Sequence, residues 1–455
     1  MVNIVTEIAK YLIVILMAIY TLESFTVFGY DEYMQHSIMK RQTLLIFFIH
    51  FIAFLVLFLA TKDMKTLYFY FAQVVFLIAT LILYNTIYPD ISRLVVNHMC
   101  MLIAIGFVIL TRLAFDISFR QFIFATIAMI ISLIVPVIIR KVRILEDLRK
   151  LYGAVGVAAL LAVIIAGRRS GGAFLGFTVG PISIQPSELV KIVFVFFVAS
   201  SFKKSTKFKD IVITTCVAAI HVLILVASRD LGTAVIIFMT YMMMLYVATR
   251  QPLYLLAGFS AGAAGSMVAF RLFSHLRVRV AAWQDPFTDY RKGGYQVAQS
   301  LFAIGTGGWF GMGLLQGMPN GIPLPDTDFV FAAICEEMGL AFGLCLVLIC
   351  LSCYIMFLNI AMQLRNVFYK LVALGLGTCY IFQVFLNIGG VTKFVPSTGL
   401  TLPFVSYGGS SLLSIMIIFA IIQGLYILRE DEEEIIERQK EKKAQRELRP
   451  RYRDL

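Results

Sequence analysis

The sequence predicts an all-α polytopic membrane protein, and three observations support this fold class. Hydrophobic residues occupy 60% of the 455 positions, and charged residues only 15%. The mean hydropathy of +0.87 is far above that of a soluble domain. The apolar residues form about thirteen segments, each long enough to cross the hydrocarbon core as a helix, and the period-2 alternation of membrane strands is absent.

The thirteen segments follow one another along the chain, and each is bounded by polar, glycine-rich or charged residues. The first has no small-residue cleavage site after it and precedes many similar segments, so we expect it to stay in the protein rather than act as a signal peptide. The predicted segments begin near Tyr11, Leu44, Thr66, Val95, Gln121, Leu151, Glu188, Asp210, Gly232, Leu253, Val330, Leu371 and Tyr407.

Short basic clusters between the segments predict the orientation in the membrane. If thirteen helices alternate, all these clusters lie on one side, which the positive-inside rule identifies as the cytoplasm. The N-terminus is then outside, and the charged tail at 429–455 is cytoplasmic. The net charge of +12 is thereby explained by topology and does not indicate nucleic-acid binding. The clusters are Lys40/Arg41, Arg140/Lys141/Arg143, Arg149/Lys150, Lys203/Lys204/Lys207/Lys209, Arg250 and Arg365.

The same alternation places four polar or glycine- and proline-rich stretches together on the exterior side, at 167–187, 228–231, 274–329 and 389–406. The longest, 274–329, contains aromatic residues spaced along it, so we expect a folded element rather than a disordered loop. Among them are Trp283, Phe287, Tyr290, Tyr295, Phe302 and Trp309. Its many glycines precede no Gly-Lys-Ser/Thr sequence, and therefore indicate tight turns and close helix contacts instead of a phosphate loop.

Carboxylates occur where two exterior stretches re-enter the membrane. Asp328 precedes an apolar run, where it could cap the next helix or, partly desolvated, act as a general base. Glu336 and Glu337 lie about two turns further along and should face the protein interior. Asp230 opens another helix, where a cap or an ion pair with Arg229 is the simpler interpretation and a catalytic role the second.

A third helix start lies at 185–188, where Pro186 or Ser187 is near the cap position. Lys191 follows Glu188 by three residues, the spacing of an ion pair on one helix face. We interpret this segment as a structural cap rather than a catalytic element.

Six ordered motifs resemble one family of membrane enzymes. They are GPISIQPSE at 180–188, DLGTA at 230–234, DP followed by GYQ and QS between 285 and 300, TDF at 327–329, EEMG at 336–339, and PSTGLTLPFVSYGG at 396–409. Together they resemble the shape, elongation, division and sporulation (SEDS) family of peptidoglycan polymerases, which includes RodA, FtsW and SpoVE. The resemblance implies a ten-helix core at 93–428 with the large exterior loop 274–329. Residues 1–92 would add about three transmembrane helices, to which no chemical role is assigned.

The resemblance implies a reaction and its partners. The substrate would be lipid II, polymerised into glycan strands by inverting glycosyl transfer on the outer face of the bacterial cytoplasmic membrane, in elongation, division or sporulation. The partner would be a class B penicillin-binding protein, which supplies transpeptidation. The expected environment is membrane lipid, with no nucleic acid. No cofactor is firmly implied, although a divalent cation, Mg²⁺ or Mn²⁺, would suit the leaving pyrophosphate.

The resemblance also implies site residues. Asp328 matches the catalytic aspartate of the family, which takes a proton from the acceptor hydroxyl. The chain departs from the family pattern at Ala173-Phe174, where an Arg-Trp pair is usual, and at Arg229, where proline is usual. The positions expected to contact substrate are Asp230, Lys191, Arg279, Glu337, Lys393 and Ser406.

Two other functions would also suit a bundle with internal charges: a flippase for the lipid-linked precursor, and a non-catalytic scaffold for a transpeptidase. An alternating-access carrier would place its polar groups near the midplane, reachable from both sides. The clustering of polar stretches on one face therefore favours the polymerase.

Overall fold

The computed structural model describes residues 2–170, 173–179, 182–288 and 290–451, which form a helical bundle with one small sheet. The helices are α1 (Val2–Thr26), α2 (Glu32–Thr61), α3 (Met64–Ile87), α4 (Arg93–Leu113), α5 (Phe115–Ser132), α6 (Val135–Lys141), α7 (Arg149–Ala166), α8 (Pro186–Lys204), α9 (Phe208–Ala227), α10 (Leu231–Thr249), α11 (Pro252–Leu272), α12 (Ser274–Gln284), α13 (Tyr295–Gly307), α14 (Val330–Gln363), α15 (Val367–Val391) and α16 (Gly409–Arg451). The strands are β1 (Arg168–Ser170), β2 (Ala173–Val179) and β3 (Ile182–Ile184).

The predicted fold class is confirmed. Each of the thirteen predicted segments lies in a helix of 18 or more residues, namely α1–α5, α7–α11 and α14–α16. Within the described residues, 11 of these helices are long and apolar enough to cross a membrane. The other two, α7 and α8, have 18 and 19 residues, and α8 carries Glu188 and Lys191 within its length.

The small sheet is a departure from the prediction, which expected only polar loop between α7 and α8. It is antiparallel, with the order β1-β2-β3, and pairs Arg169 with Phe174 and Thr178 with Ser183. Two of its strands, β1 and β3, have only three residues each, too few to produce a recognisable alternation in the sequence. Gly180 and Pro181 of the first motif lie outside the described residues.

Helix ends separate into two faces, as the sequence predicted. On one face the basic clusters meet acidic partners: Arg140 contacts Asp431 at 2.8 Å, and the Lys203 ammonium lies 2.6 Å from Glu146. On the other face the four polar stretches contact one another. For example, the Ser187 hydroxyl donates to Oδ2 of Asp230 at 2.8 Å, and Nη1 of Arg279 donates to the Ser397 carbonyl at 3.0 Å. The predicted clustering of the polar stretches is therefore confirmed, while the side of the membrane they occupy stays a prediction.

The glycine loop, residues 307–317, joins α13 to the 318–329 segment and inserts into a break in α14. The Met312 amide donates to the Glu336 carbonyl, and the Gly313 amide to the Glu337 carbonyl, each at 2.9 Å. Gly339 interrupts α14 with a φ of 88°, and a side-chain carbon there would lie 2.4 Å from the Gly311 nitrogen. Glycine is required at this crossing, which confirms the predicted tight turns and close helix contact.

Candidate functional site

Asp328 lies two residues before α14, at the face where the polar stretches meet, and its side chain is partly buried. The N-cap of α14 is Phe329, and no side chain makes a capping hydrogen bond there. The alternative that Asp328 caps this helix is therefore wrong, because the chain turns into the helix one residue later than the sequence suggested. The Asp328 carboxylate is left available for another role.

The Asp328 carboxylate and the Arg279 guanidinium converge on Gly399. A side-chain carbon built on Gly399 would lie 3.5 Å from Oδ2 of Asp328 and 3.7 Å from Nη2 of Arg279. Gly399 has a φ of 77°, in the left-handed region that glycine favours. Arg279 is fixed by donation from Nη1 to the Ser397 carbonyl at 3.0 Å. Glycine at this turn thus keeps open the space between acid and base.

The pKa of the Asp328 carboxyl is raised to about 6, mainly by burial, which the Arg279 charge opposes and the neighbouring Asp326 charge reinforces. Burial also lowers the pKa of Arg279, an effect opposed by Asp328 and Asp230. A carboxylate with a pKa near the working pH is well suited to accept a proton and then release it. The electrostatics of the site therefore fit general base catalysis.

A cleft beside Asp328 is lined by polar atoms without partners. Its walls include Asn387, Ser397, Thr398 and Gly399. Asn387 donates from Nδ2 to the Asp328 carbonyl at 3.0 Å, but its Oδ1 is buried and has no hydrogen-bond partner in the described structure. The Thr398 hydroxyl is in the same condition. Buried polar atoms are normally paired, so these two atoms could form hydrogen bonds with a polar ligand in the cleft.

Asp230 is buried and caps α10, which confirms the simpler of its two interpretations. Its Oδ1 accepts from the Thr233 amide at 3.2 Å. Its Oδ2 accepts from the Ser187 hydroxyl at 2.8 Å and from Nε2 of Gln185 at 3.4 Å. Asp230 therefore links the first two motifs, and its charge also acts on Arg279.

Lys191 is fully buried inside the bundle. Its ammonium lies 2.8 Å from Glu188, the predicted ion pair, and donates to Oε1 of Gln383 at 2.7 Å. Gln383 in turn donates to the Ser411 hydroxyl at 3.1 Å. Gln185 occupies the N-cap of α8, with Pro186 as its first residue, which agrees with the predicted structural start.

Glu337 and Ser406 are also buried and satisfied by the protein, so both support the site without lining it. Nη2 of Arg112 lies 2.8 Å from Oε1 of Glu337, and Nε of Arg112 donates to Oε2 at 3.2 Å. The Ser406 hydroxyl donates to the Thr327 carbonyl at 2.5 Å and accepts from the Leu402 amide at 2.9 Å. Ser406 thereby ties the 389–408 loop to the segment carrying Asp328.

Lys393 follows α15 and lies beside the C-terminal end of α12, not in the cleft beside Asp328. It has a left-handed backbone, with a φ of 60°, and its carbonyl accepts from the Trp283 indole at 3.2 Å. Its charge contributes, after hydrogen bonds from residues 287 and 288, to lowering the pKa of Asp285. Of the predicted cations, Arg279 alone is placed against Asp328 by these contacts.

A metal site built by the protein itself is not seen in the part of the chain that the structure describes. No three His, Cys, Asp or Glu side chains come together there. Asp326 and Asp328 are close enough to influence each other electrostatically, and would offer at most two carboxylates. This set fits Mg²⁺ held mainly by a substrate's phosphates and water, not a cage of protein ligands.

Sequence reasoning missed Asn387, Arg112 and Gln383. Each is a polar residue within or at the end of an apolar helix, where an uncompensated polar group is costly. That signal was available from the sequence. The contact partners of these three residues could not be read from the sequence, because each contact joins segments that are distant in the chain.

Comparison with known proteins supports the family that the motifs resemble. The FtsW/RodA/SpoVE family model, described as cell cycle protein, matches residues 91–430. RodA of Mycobacterium tuberculosis strain H37Rv, a peptidoglycan glycosyltransferase, is 37% identical over 307 residues, which cover 62% of this chain and 65% of that protein. A probable peptidoglycan glycosyltransferase FtsW of Aliivibrio salmonicida is 31% identical over 346 residues, covering 72% of this chain and 85% of that one.

Solved structures share the fold. A chain from a peptidoglycan synthase complex that coordinates polymerization and crosslinking superposes with a TM-score of 0.64 at 25% identity, covering 74% of this chain and 98% of that one. RodA of Thermus thermophilus gives a TM-score of 0.57 at 23% identity, over 75% and 98% of the two chains. The chain spans 55% to 65% of the length of the mycobacterial RodA relatives. From the extent of the family match, this chain belongs to the FtsW/RodA/SpoVE family of cell cycle proteins.

Proposed function

We propose that this protein is a peptidoglycan glycosyltransferase that polymerises lipid II into glycan strands on the outer face of the cytoplasmic membrane. The observation that carries the proposal is the Asp328 carboxyl, with its pKa of about 6, facing Arg279 across Gly399 beside a cleft with unpartnered polar atoms. The names of the mycobacterial and Aliivibrio relatives support the same activity.

Asp328 acts as the general base in this proposal. Its carboxylate accepts the proton of the acceptor sugar's 4-hydroxyl as that oxygen bonds to the donor sugar's anomeric carbon. The bond between the anomeric carbon and the pyrophosphate breaks, and its electron pair leaves with the phosphate. Because attack comes from the face opposite the leaving group, the configuration inverts. Arg279 stabilises the negative charge that develops on the pyrophosphate.

The other predicted residues take supporting roles. Asn387 and Thr398 supply hydrogen-bonding atoms to the sugars, through Oδ1 and the hydroxyl that have no partner in the described structure. Asp230 orients the first two motifs, and Lys393 lies at the rim. Mg²⁺ or Mn²⁺ would arrive bound to the pyrophosphate and would help to neutralise its charge. Lys191, Glu337 and Ser406 hold the loops in place.

The decisive experiment compares Asp328→Asn with Asp326→Asn in purified protein supplied with labelled lipid II, and follows the glycan ladder on a gel. Asparagine keeps the size of the side chain but cannot accept the proton, so Asp328→Asn is expected to slow polymerisation about 100-fold to 10,000-fold. Asp326→Asn removes a carboxylate two residues away and should retain most activity. The melting temperature of both variants should stay near that of the wild type.

Other outcomes would redirect the assignment. Near wild-type polymerisation by Asp328→Asn would remove Asp328 from the mechanism and make Asp230 the leading candidate. A wild-type protein that moves lipid II between leaflets without forming ladders would be the flippase. Binding to a transpeptidase with neither activity would identify the scaffold.

The partner we propose is a class B penicillin-binding protein, because the described structure has no exterior domain large enough to cross-link peptides. Association within the membrane would rely on close packing of small residues. The ladder assay with and without that transpeptidase tests the dependence, since equal rates in both conditions would contradict it.

A further inference from the structure

The N-terminal helices α1–α3 lie outside the family match, which begins at residue 91, yet they cover polar groups on its first helix. The His98 ring bonds to the Tyr20 hydroxyl through Nδ1 and to the Ser352 hydroxyl through Nε2, both at 2.9 Å. The Asn97 amide donates to the Met39 carbonyl at 3.0 Å. Without α1 and α2 these groups of α4 would face lipid, where unpaired polar groups are costly. The extension is therefore a fixed layer of the bundle.

The exterior end of α1 contacts the glycine loop. The rings of Tyr11 and Phe310 are 5.4 Å apart between centroids and inclined at 56°. A side-chain carbon on Gly313 would lie 3.1 Å from Cγ2 of Thr6, which is itself only 2% exposed. The aliphatic part of Lys10 lies close to the same glycine. Two successive turns of the extension thus meet one loop of the family core.

The glycine loop in turn fixes the segment that carries Asp328. The loop is joined to α14 by the amides of Met312 and Gly313. At its far end Nη2 of Arg112 donates to the Gly317 carbonyl at 3.3 Å, and the next amide, that of Met318, donates to Glu336 at 3.0 Å. The chain then runs through 318–329 to Asp328, so a displacement of the loop would displace this segment.

We infer that α1 is a positioning element of the polymerase site: through Tyr11 and Thr6 it holds the glycine loop, and through the loop the segment bearing Asp328. Tyr11 is the positioning residue that this inference names. The inference rests on the proposed polymerase function for its effect on rate, and on the contacts alone for its effect on the loop.

The first test is hydrogen–deuterium exchange of the full-length protein. Tyr11→Ala is expected to speed exchange at the Met312 and Gly313 amides about twofold to tenfold, since an aromatic pair stabilises its contact by that factor. Tyr11→Phe keeps the ring and should restore wild-type exchange. Tyr68→Ala removes a ring from the exterior end of α3, where Tyr68 is 71% exposed, and serves as the matched control.

The second test is the kinetics of lipid II polymerisation by the same variants. Tyr11→Ala is expected to lower kcat at least twofold with little change in KM or melting temperature, whereas Tyr11→Phe and Tyr68→Ala should match the wild type. A bulkier wedge, Thr6→Phe, should speed loop exchange and lower kcat further. A loss of melting temperature that parallels the loss of kcat in every variant would mean that α1 only stabilises the fold, and would overturn the inference.

Failure of the inference and failure of the proposed function give different results. If Tyr11→Ala and Thr6→Phe both leave loop exchange and kcat unchanged in an active protein, α1 does not position the loop. If the wild-type protein forms no glycan, the polymerase assignment fails. In that case, unchanged loop exchange in Tyr11→Ala would refute the positioning role as well. Faster loop exchange in Tyr11→Ala would still support the contact between α1 and the glycine loop.

Discussion

The charged residues inside the bundle and those at the cleft beside Asp328 differ in how they are paired. Within the helices, Lys191 is paired with Glu188, and Glu337 with Arg112, each pair having an N–O distance of 2.8 Å and little or no exposure. At the cleft, Asp328 and Arg279 face each other across Gly399, while neighbouring polar atoms of Asn387 and Thr398 have no partner in the described structure.

The difference shows which charges maintain the fold and which are available for chemistry. A charge enclosed by helices must be paired and hydrogen-bonded. Its partners are therefore already engaged within the protein and are not open to a substrate. A charge at an open cleft can keep unused hydrogen-bonding capacity, which a substrate could use. Lys191 and Glu337 therefore belong to the first group, although their motifs suggested substrate contact.

Breaking a buried pair should have the largest effect on stability. Arg112→Met leaves the Glu337 carboxylate enclosed without its partner, which is expected to cost about 3–5 kcal/mol of unfolding free energy. Thermal or denaturant unfolding of the purified protein in detergent measures this loss. The control is the double variant Arg112→Met/Glu337→Met, which removes both charges and should recover most of it. If the double variant were as unstable as the single one, packing rather than charge would explain the loss.

The pH dependence of polymerisation should identify the cleft carboxylate. Because the base must be ionised, kcat/KM is expected to fall as pH decreases through about 6, the pKa of Asp328. Arg279 favours the ionised form, so Arg279→Met should move this midpoint upward by about one pH unit. A rate profile measured from pH 5 to 8 for both proteins tests the shift. A midpoint unchanged by Arg279→Met would show that the Arg279 charge does not act on the ionisation of Asp328.

Stability should respond to the same ionisation with the opposite sign. The folded-state pKa of Asp328 is raised above the usual value of 3.8. Its stabilising contribution is therefore complete below that usual value and is lost as pH rises through about 6. Activity is gained over the range in which this contribution disappears. Asp328→Asn, which does not titrate, should abolish this component of the pH dependence of melting.

Breaking an exposed ion pair should have the smallest effect on stability, which provides the contrast to the buried pair. Arg140 forms a two-pronged contact with Asp431 at the opposite face, but the Arg140 side chain is exposed and the Asp431 side chain partly exposed. Arg140→Ala is expected to cost about 0.2–1 kcal/mol, and less in high salt. Unfolding measured at low and high ionic strength tests this. A cost similar to that of Arg112→Met would mean that burial does not govern the value of these pairs.

The sequence predicted the bundle well, because a helix that crosses lipid must be long and apolar, and both properties can be read from the sequence. It also predicted that the polar stretches share a face, since alternating helices leave little choice. It did not predict that Phe329 replaces Asp328 at the helix cap, because helix boundaries depend on local backbone angles. Nor did it pair Arg112 with Glu337, since partners from distant helices are chosen by packing. Gly399 belongs to the motif at 396–409, but only the structure shows its place between Asp328 and Arg279.

The enclosure of α4 also bears on how the protein is made. Residues 94–110 of α4 are all buried, and α1 and α2 cover Asn97 and His98. Domains of a chain generally fold in the order in which they leave the ribosome. The helices bearing Tyr20 and Met39 therefore reach the membrane before the amide and imidazole that bond to them. Synthesis order thus provides hydrogen-bonding partners in advance for the first helix of the family core, and a core expressed alone would expose two polar side chains to lipid.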